Sequence, residues 1–204
     1  IQFTAAIAPG SEGGGLFDVD GRLLGFITYR ARDGQNVNFA IPIRRLAEIE
    51  KRLGAASAAD GLSASAAGLM QQGKWADLAQ HAKNWLAADA NSGAAWAWLG
   101  VAAQQMGDWP EAERAYREVL KRDPNAILFG VGLSNALLNQ KKAQEAADVA
   151  RSLLALRQED ARIWVALGQA ELSLDHGAQA KQAFERALQV DSLNYDAHLG
   201  LSRI

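Results

Sequence analysis

The chain reads as two structural classes joined in series: an antiparallel β segment, then an all-α array of stacked helix pairs. Three observations predict this. Residues 1–43 carry short apolar runs separated by glycine- and aspartate-rich turns, strand-like runs stop near residue 59, and beyond that point the sequence matches itself when slid by 34 residues.

In the front segment the apolar runs are Ile1 to Ile7, Gly15 to Val19, Arg22 to Tyr29 and Val37 to Ile43. Asp20-Gly21 between two of them suits a two-residue hairpin, because glycine tolerates the positive φ of a type I′ turn. Asp33-Gly34 marks a second turn. Pro42 closes the last strand, and Ile43, Leu46, Ala47, Ile49 and Leu53 fall on or near one helical face, so a helix packing back on the sheet is expected. Residues 54–58, within the small and unpatterned stretch GAASAADG, read as a linker or as an entry into the next helix.

The repeat divides the rest into blocks 59–92, 93–126, 127–160 and 161–194, with 195–204 as the start of a further or capping helix. Gly73 falls on Gly107 and Trp75 on Trp109. Two periods apart, Trp96 falls on Trp164, Leu99 on Leu167, Gly100 on Gly168, Ala112 on Ala180, Tyr116 on Phe184 and Leu120 on Leu188. Each block has the length of a helix–turn–helix unit that cannot bury its apolar face alone and must stack on its neighbours.

Trp96, Leu99, Gly100, Ala112, Tyr116 and Pro124 in the second block, and Trp164, Leu167, Gly168, Ala180, Phe184 and Ala187 in the fourth, resemble the tetratricopeptide-repeat pattern. The first block is looser, and in the third Lys141 replaces the turn glycine. The resemblance implies a helical solenoid whose first helices line a concave groove that binds a protein or peptide partner. Helical geometry projects Val101, Gln104, Gln105, Val131, Asn135, Leu138, Asn139, Val165, Gln169 and Leu172 into that groove, with Met70, Gln71 and Ala97 at its near end. The lining is amide-rich and aliphatic and lacks the cations that clamp a peptide carboxylate; only Asn135 stands at a matching clamp position. Such a lining suits an extended peptide held by side-chain amides and shallow apolar contacts, the alternative being an array that acts only as a spacer or oligomer contact. Trp98 lies outside the usual aromatic positions of the repeat and reads either as a partner anchor or as packing.

The string from Ala8 to Asp18 (APGSEGGGLFD), followed by Gly21 to Thr28 (GRLLGFIT) and Asn38 to Pro42 (NFAIP), resembles three successive motifs of trypsin-like serine proteases, particularly the bacterial high-temperature-requirement branch. It implies that residues 1–53 are the C-terminal part of a trypsin-like antiparallel β-barrel with its closing helix, with too few strands to close that barrel alone; the alternative is that the four strands form a small sheet shielded by the repeats. Glu12 then stands at the nucleophile position, with the oxyanion-hole amides at Gly10 and Glu12, and Ala6, Thr28, Tyr29 and Arg30 as substrate-pocket candidates. A carboxylate is a poor substitute for a hydroxyl that a histidine deprotonates. His81, His176 and His198 all fall in the helical half, so this chain is expected to be inactive as a peptidase. The alternative is a serine endopeptidase whose histidine and aspartate lie in a missing upstream half. That half would also be a partner completing the barrel, and the resemblance implies a bacterial extracytoplasmic setting, such as the periplasm. Ile1 in place of an initiator methionine is expected of a processed piece.

Composition excludes several classes. Twenty-one basic against 23 acidic side chains leave no electrostatic footprint for nucleic acid, and no apolar window is long enough to span a bilayer. The absence of cysteine removes disulfide, CxxC and Cys-ligated zinc chemistry. Neither a metal nor a cofactor is expected. Asp18-Val19-Asp20-Gly21 lacks the further ligands of a calcium loop and reads as a plain turn.

Overall fold

The computed structural model describes residues 2–3, 15–20, 22–30, 38–42 and 46–204, and the chain divides into two compact units, Ile1–Gly61 and Leu62–Ile204. In the first unit, β1 (Gln2–Phe3), β2 (Gly15–Phe17), β3 (Leu23–Arg30) and β4 (Asn38–Pro42) form one antiparallel sheet of order β1-β4-β3-β2. Phe26 faces both Gly15 and Ile41 across its two ladders, and Gln2 pairs with Phe39. The β2–β3 connection is not the two-residue hairpin that Asp20-Gly21 suggests. Asp18 and Arg22 close it through Asp18 N–H to Arg22 O at 2.9 Å, while Asp18 Oδ1 accepts from the backbone N–H of Asp20 and Arg22 at 3.0 and 2.8 Å. A local carboxylate acceptor organises the turn, and the same oxygen is thereby spent on main chain and not on a metal.

The barrel expectation is corrected in extent. The described strands make an open four-stranded sheet with β1 and β2 as edges, and strands of two and three residues carry too few backbone groups to close a cylinder. Of the two readings of residues 54–58, the linker is corrected in favour of helix. Residues 54–58 lie inside α1 (Leu46–Gln71), a continuous helix, because alanine is the strongest helix former and outweighs the isolated Gly54 and Gly61. The first helix therefore starts well before residue 59.

The second unit stacks α2 (Trp75–Ala88), α3 (Gly93–Met106), α4 (Trp109–Arg122), α5 (Ile127–Asn139), α6 (Ala143–Leu156), α7 (Ala161–Ser173), α8 (Gly177–Val190) and α9 (Tyr195–Leu201). Helices α3, α5, α7 and α9 begin 34 residues apart, as do α2, α4, α6 and α8. At each turn between paired helices one residue is left-handed: Gly73 (φ 67°), Gly107 (φ 74°), Lys141 (φ 62°) and Asp175 (φ 60°). Starts are capped where the sequence supplies an acceptor, by Ser92, Asp108, Asp160 and Asn194, each accepting from a backbone N–H two or three residues on.

Small residues fill the core, together with one ring in each of the second and fourth repeats. Tyr116 of α4 lies between Gly100 of α3 and Gly132 of α5, and Phe184 of α8 lies between Gly168 of α7 and Gly200 of α9. Polar ties cross the stack where α4 meets the next pair. Glu113 accepts from Lys142 Nζ at 2.8 Å, Gln140 Nε2 at 2.8 Å and Arg117 Nε at 2.9 Å, and Arg117 also reaches Glu145 at 2.8 Å. Trp98 is half-buried and packs against the cluster of Ala66, Leu78, Leu99 and Ala102.

Candidate peptide-binding groove

The first helices of successive repeats touch in order, α3 with α5, α5 with α7 and α7 with α9. This places their faces side by side. On α5 and α7, positions four or seven residues apart share a stripe, and there the structure forms a recess of about 220 Å³ lined by Val131, Asn135, Arg162, Val165, Ala166, Gln169, Asn194 and Asp196. Val165 and Ala166 are buried and form its floor, while Val131, Asn135 and Gln169 are half-buried. Neither the Asn135 nor the Gln169 side-chain amide has a hydrogen-bond partner among the described residues. Each presents a donor and an acceptor beside apolar wall, the combination that holds a peptide main chain.

Four of the ten groove positions read from the sequence thus line one recess: Val131, Asn135, Val165 and Gln169. The others sit apart from it. Gln104 is committed within the protein, since Tyr116 Oη donates to Gln104 Oε1 at 2.8 Å. Burial pushes the Tyr116 phenol well above its ordinary pKa, so it remains a donor. Val101 is half-buried; Gln105 is exposed; Leu138 and Leu172 pack against core clusters; and Asn139 donates to the backbone oxygen of Asn135 at 2.9 Å.

Arg162, Asn194 and Asp196 are absent from the sequence-based set. Arg162 stands three residues before Val165 and seven before Gln169, so helical spacing alone places it on the same stripe. Its guanidinium is bound bidentately by Asp160, Nε to Oδ1 at 2.9 Å and Nη2 to Oδ2 at 2.7 Å. The hydrogen bonds from Arg162 hold the Asp160 carboxyl below the usual carboxylate range, and Asp160 in turn raises the guanidinium. Asn194 caps α9 by accepting from Ala197 N at 3.0 Å.

Of the protease-type positions, Ala6, Gly10 and Glu12 lie outside the described residues, and Thr28, Tyr29 and Arg30 are described as backbone of β3 only. The histidines hold structural partners. His81 Nε2 is 2.9 Å from Leu62 O, His176 Nδ1 is 2.8 Å from Glu171, and His198 Nε2 is 3.1 Å from Ser192 O. Among the described residues no group of three or more histidines and carboxylates is arranged to hold a metal, and no helix is long and apolar enough to cross a membrane.

With the geometry in place, the likeness to known proteins is specific. Residues 93–126 and 165–204 match family models of the tetratricopeptide repeat, and these stretches are tetratricopeptide repeats. Stress-induced-phosphoprotein 1 of Caenorhabditis elegans is 32% identical over 96 residues, which are 47% of this chain and 30% of that protein. The chain thus spans under a third of that relative. Among solved structures, MamA from Desulfovibrio magneticus RS-1, residue 41 to its end, superposes with a TM-score of 0.65 at 22% identity, over 71% of this chain and 82% of that one. The first tetratricopeptide domain of the human RPAP3 protein gives 0.50 at 23% identity, over 51% of this chain and 82% of that one. At these identities the structural matches establish the fold: an all-α tetratricopeptide solenoid follows the small sheet.

Proposed function

We propose that this chain is a protein-interaction module whose concave groove binds an extended polypeptide at the α5–α7–α9 recess. The observation that carries the reading is the pairing of unpartnered Asn135 and Gln169 amides with the aliphatic floor of Val165 and Ala166. The amides match main-chain N–H and C=O groups, and the floor accepts one small aliphatic side chain. The test is selection of binders from a random octapeptide library on the intact chain, followed by titration of Val165→Glu and of the pair Asn135→Ala, Gln169→Ala. Selected peptides lose at least ~10-fold in affinity on the doubly truncated groove, about 1.4 kcal/mol, while circular dichroism stays unchanged. Binders indifferent to both variants would place recognition elsewhere.

A second reading concerns the front segment. The antiparallel order of β2, β3 and β4, the strands that carry GLF, LLGFIT and NFAIP, supports a remnant of a trypsin-like domain attached to the repeats. With Glu12 in place of the hydroxyl, that remnant is catalytically silent. A fluorophosphonate probe is expected to leave the chain unlabelled; covalent labelling would sink this reading.

A further inference from the structure

We propose that Asp160 sets the charge selectivity of the groove: by occupying Arg162 it turns the recess into a site for neutral or basic extended segments and against acidic ones. The inference rests on the peptide-groove reading and names its partner class. In α3, α5, α7 and α9, the helices that bring this face together, Arg162 is the only lysine or arginine. It is also the only cation lining the recess, so an entering carboxylate finds no other full positive charge there. Its charge is already paired, because two of its five N–H donors, on Nε and Nη2, go to Asp160 in a two-bond pair.

The competing anion is held firmly for reasons of its own. Asp160 is the N-cap of α7, where Oδ1 also accepts the backbone N–H of Arg162 at 3.1 Å, and its side chain is 11% exposed against 55% for Arg162. An incoming carboxylate reaches those two donors only by displacing an acceptor that is tethered, pre-oriented and partly shielded, and so competes for them at a large disadvantage in effective concentration. Asp196, which lines the same recess, makes no ion pair among the described residues and adds a second negative charge. The lining carries one cation, Arg162, and one anion, Asp196, and with Asp160 beside Arg162 just outside the lining the neighbourhood has an excess of one negative charge. It repels a glutamate-rich segment and attracts a lysine or arginine placed beside the aliphatic residue that enters the floor.

The test uses the intact chain and two fluorescein-labelled, amidated octapeptides sharing a valine-asparagine core, one flanked by lysines and the other by glutamates, titrated by anisotropy at low ionic strength. The expected wild-type preference for the lysine probe is at least ~10-fold. Asp160→Ser keeps a capping oxygen but frees the guanidinium; it strengthens the glutamate probe and narrows the ratio by about the same factor, and adding Arg162→Gln reverses the gain. A wild-type ratio near one, or an Asp160→Ser ratio equal to wild type, overturns the inference provided Val165→Glu still abolishes binding. Binding of neither probe, or binding indifferent to Val165→Glu, overturns the groove reading and this inference together.

Discussion

Gly168 of α7 presents a bare Cα to the ring of Phe184 on α8: a Cβ at that position would come within 2.6 Å of Phe184 Cε1. The same ring would overlap a Cβ on Gly200 of α9, so one aromatic is gripped by glycines from its own repeat and from the next helix. Phe184 is fully buried and cannot swing aside. Gly168→Ala is therefore expected to destabilise the chain by about 1–3 kcal/mol through overpacking. Gly68 in α1 has nothing within 4 Å of the corresponding position, and Gly68→Ala is expected to stabilise by about 0.5–1 kcal/mol through helix propensity. Urea unfolding followed by far-UV circular dichroism measures both; equal effects would refute the close-packing account.

The left-handed turn residue gives a second comparison. Gly73 and Gly107 adopt that conformation without a steric cost, but Lys141 does so at φ 62° with a Cβ that crowds the backbone. Lys141→Gly is expected to raise stability by about 0.5–1 kcal/mol, the relief of strain being partly offset by the greater entropy of glycine in the unfolded chain. Gly107→Ala is expected to lower it by about 1 kcal/mol. Thermal melts of the two variants should move in opposite directions.

The repeat is legible in the sequence because its signals are constraints of close packing: glycine where a ring presses on a helix, an aromatic opposite it, and a left-handed turn. Gly100 and Gly168 announce themselves by aligning, and so do Tyr116 and Phe184. Gly132 and Gly200 obey the same constraint from the following helix, two periods apart, and are found only when contact between repeats is considered. Residues 54–58 mislead because glycine and serine suggest a break, while the alanines around them propagate a helix. Half of the recess is legible from helical stripes. Its charge balance is not, since Asp160 and Arg162 are recognisable as a closed pair only when the cap geometry of α7 fixes both. Gln104 likewise looks free in the sequence and is bonded to Tyr116 in the fold.

Acidification tests the polar ties between repeats. Burial pushes the Glu113 carboxyl up, but hydrogen bonds from Lys142, Arg117 and Gln140 together outweigh it and hold the group below the usual carboxylate range. Glu111 behaves likewise: burial raises it, and Arg114 with Lys83 more than reverses this. A folded-state pKa below the unfolded value means that the folded chain binds fewer protons. The stabilisation is present above the ordinary carboxylate value of about 4 and disappears as pH falls through the depressed folded value. The urea midpoint should therefore drop between pH 7 and pH 3, and Glu113→Gln, which cannot titrate, should show a smaller drop from a lower starting point. An identical pH dependence in the variant would show that Glu113 does not carry the linkage.

Glu171 is the one carboxylate buried within the described core, at 3% exposure, and it joins two repeats: Arg151 Nη2 of α6 donates to its Oε1, and His176 Nδ1 lies 2.8 Å from its Oε2. Both partners are about half exposed, so losing Glu171 releases them to water and leaves no buried cation behind. The cost of Glu171→Ala should then be the charge-assisted bonds plus the vacated volume, about 2–3 kcal/mol. Glu171→Leu refills the volume with apolar atoms and should cost less than half as much, because a well-packed hydrophobic side chain replaces a desolvated ion. Hydrogen exchange at the start of α8, where the His176 backbone N–H bonds Glu171 O at 2.9 Å, gives a local readout. Protection there should fall in Glu171→Ala more than in α2, remote along the stack. Were the leucine variant the less stable of the two, the carboxylate would be contributing orientation that packing cannot replace.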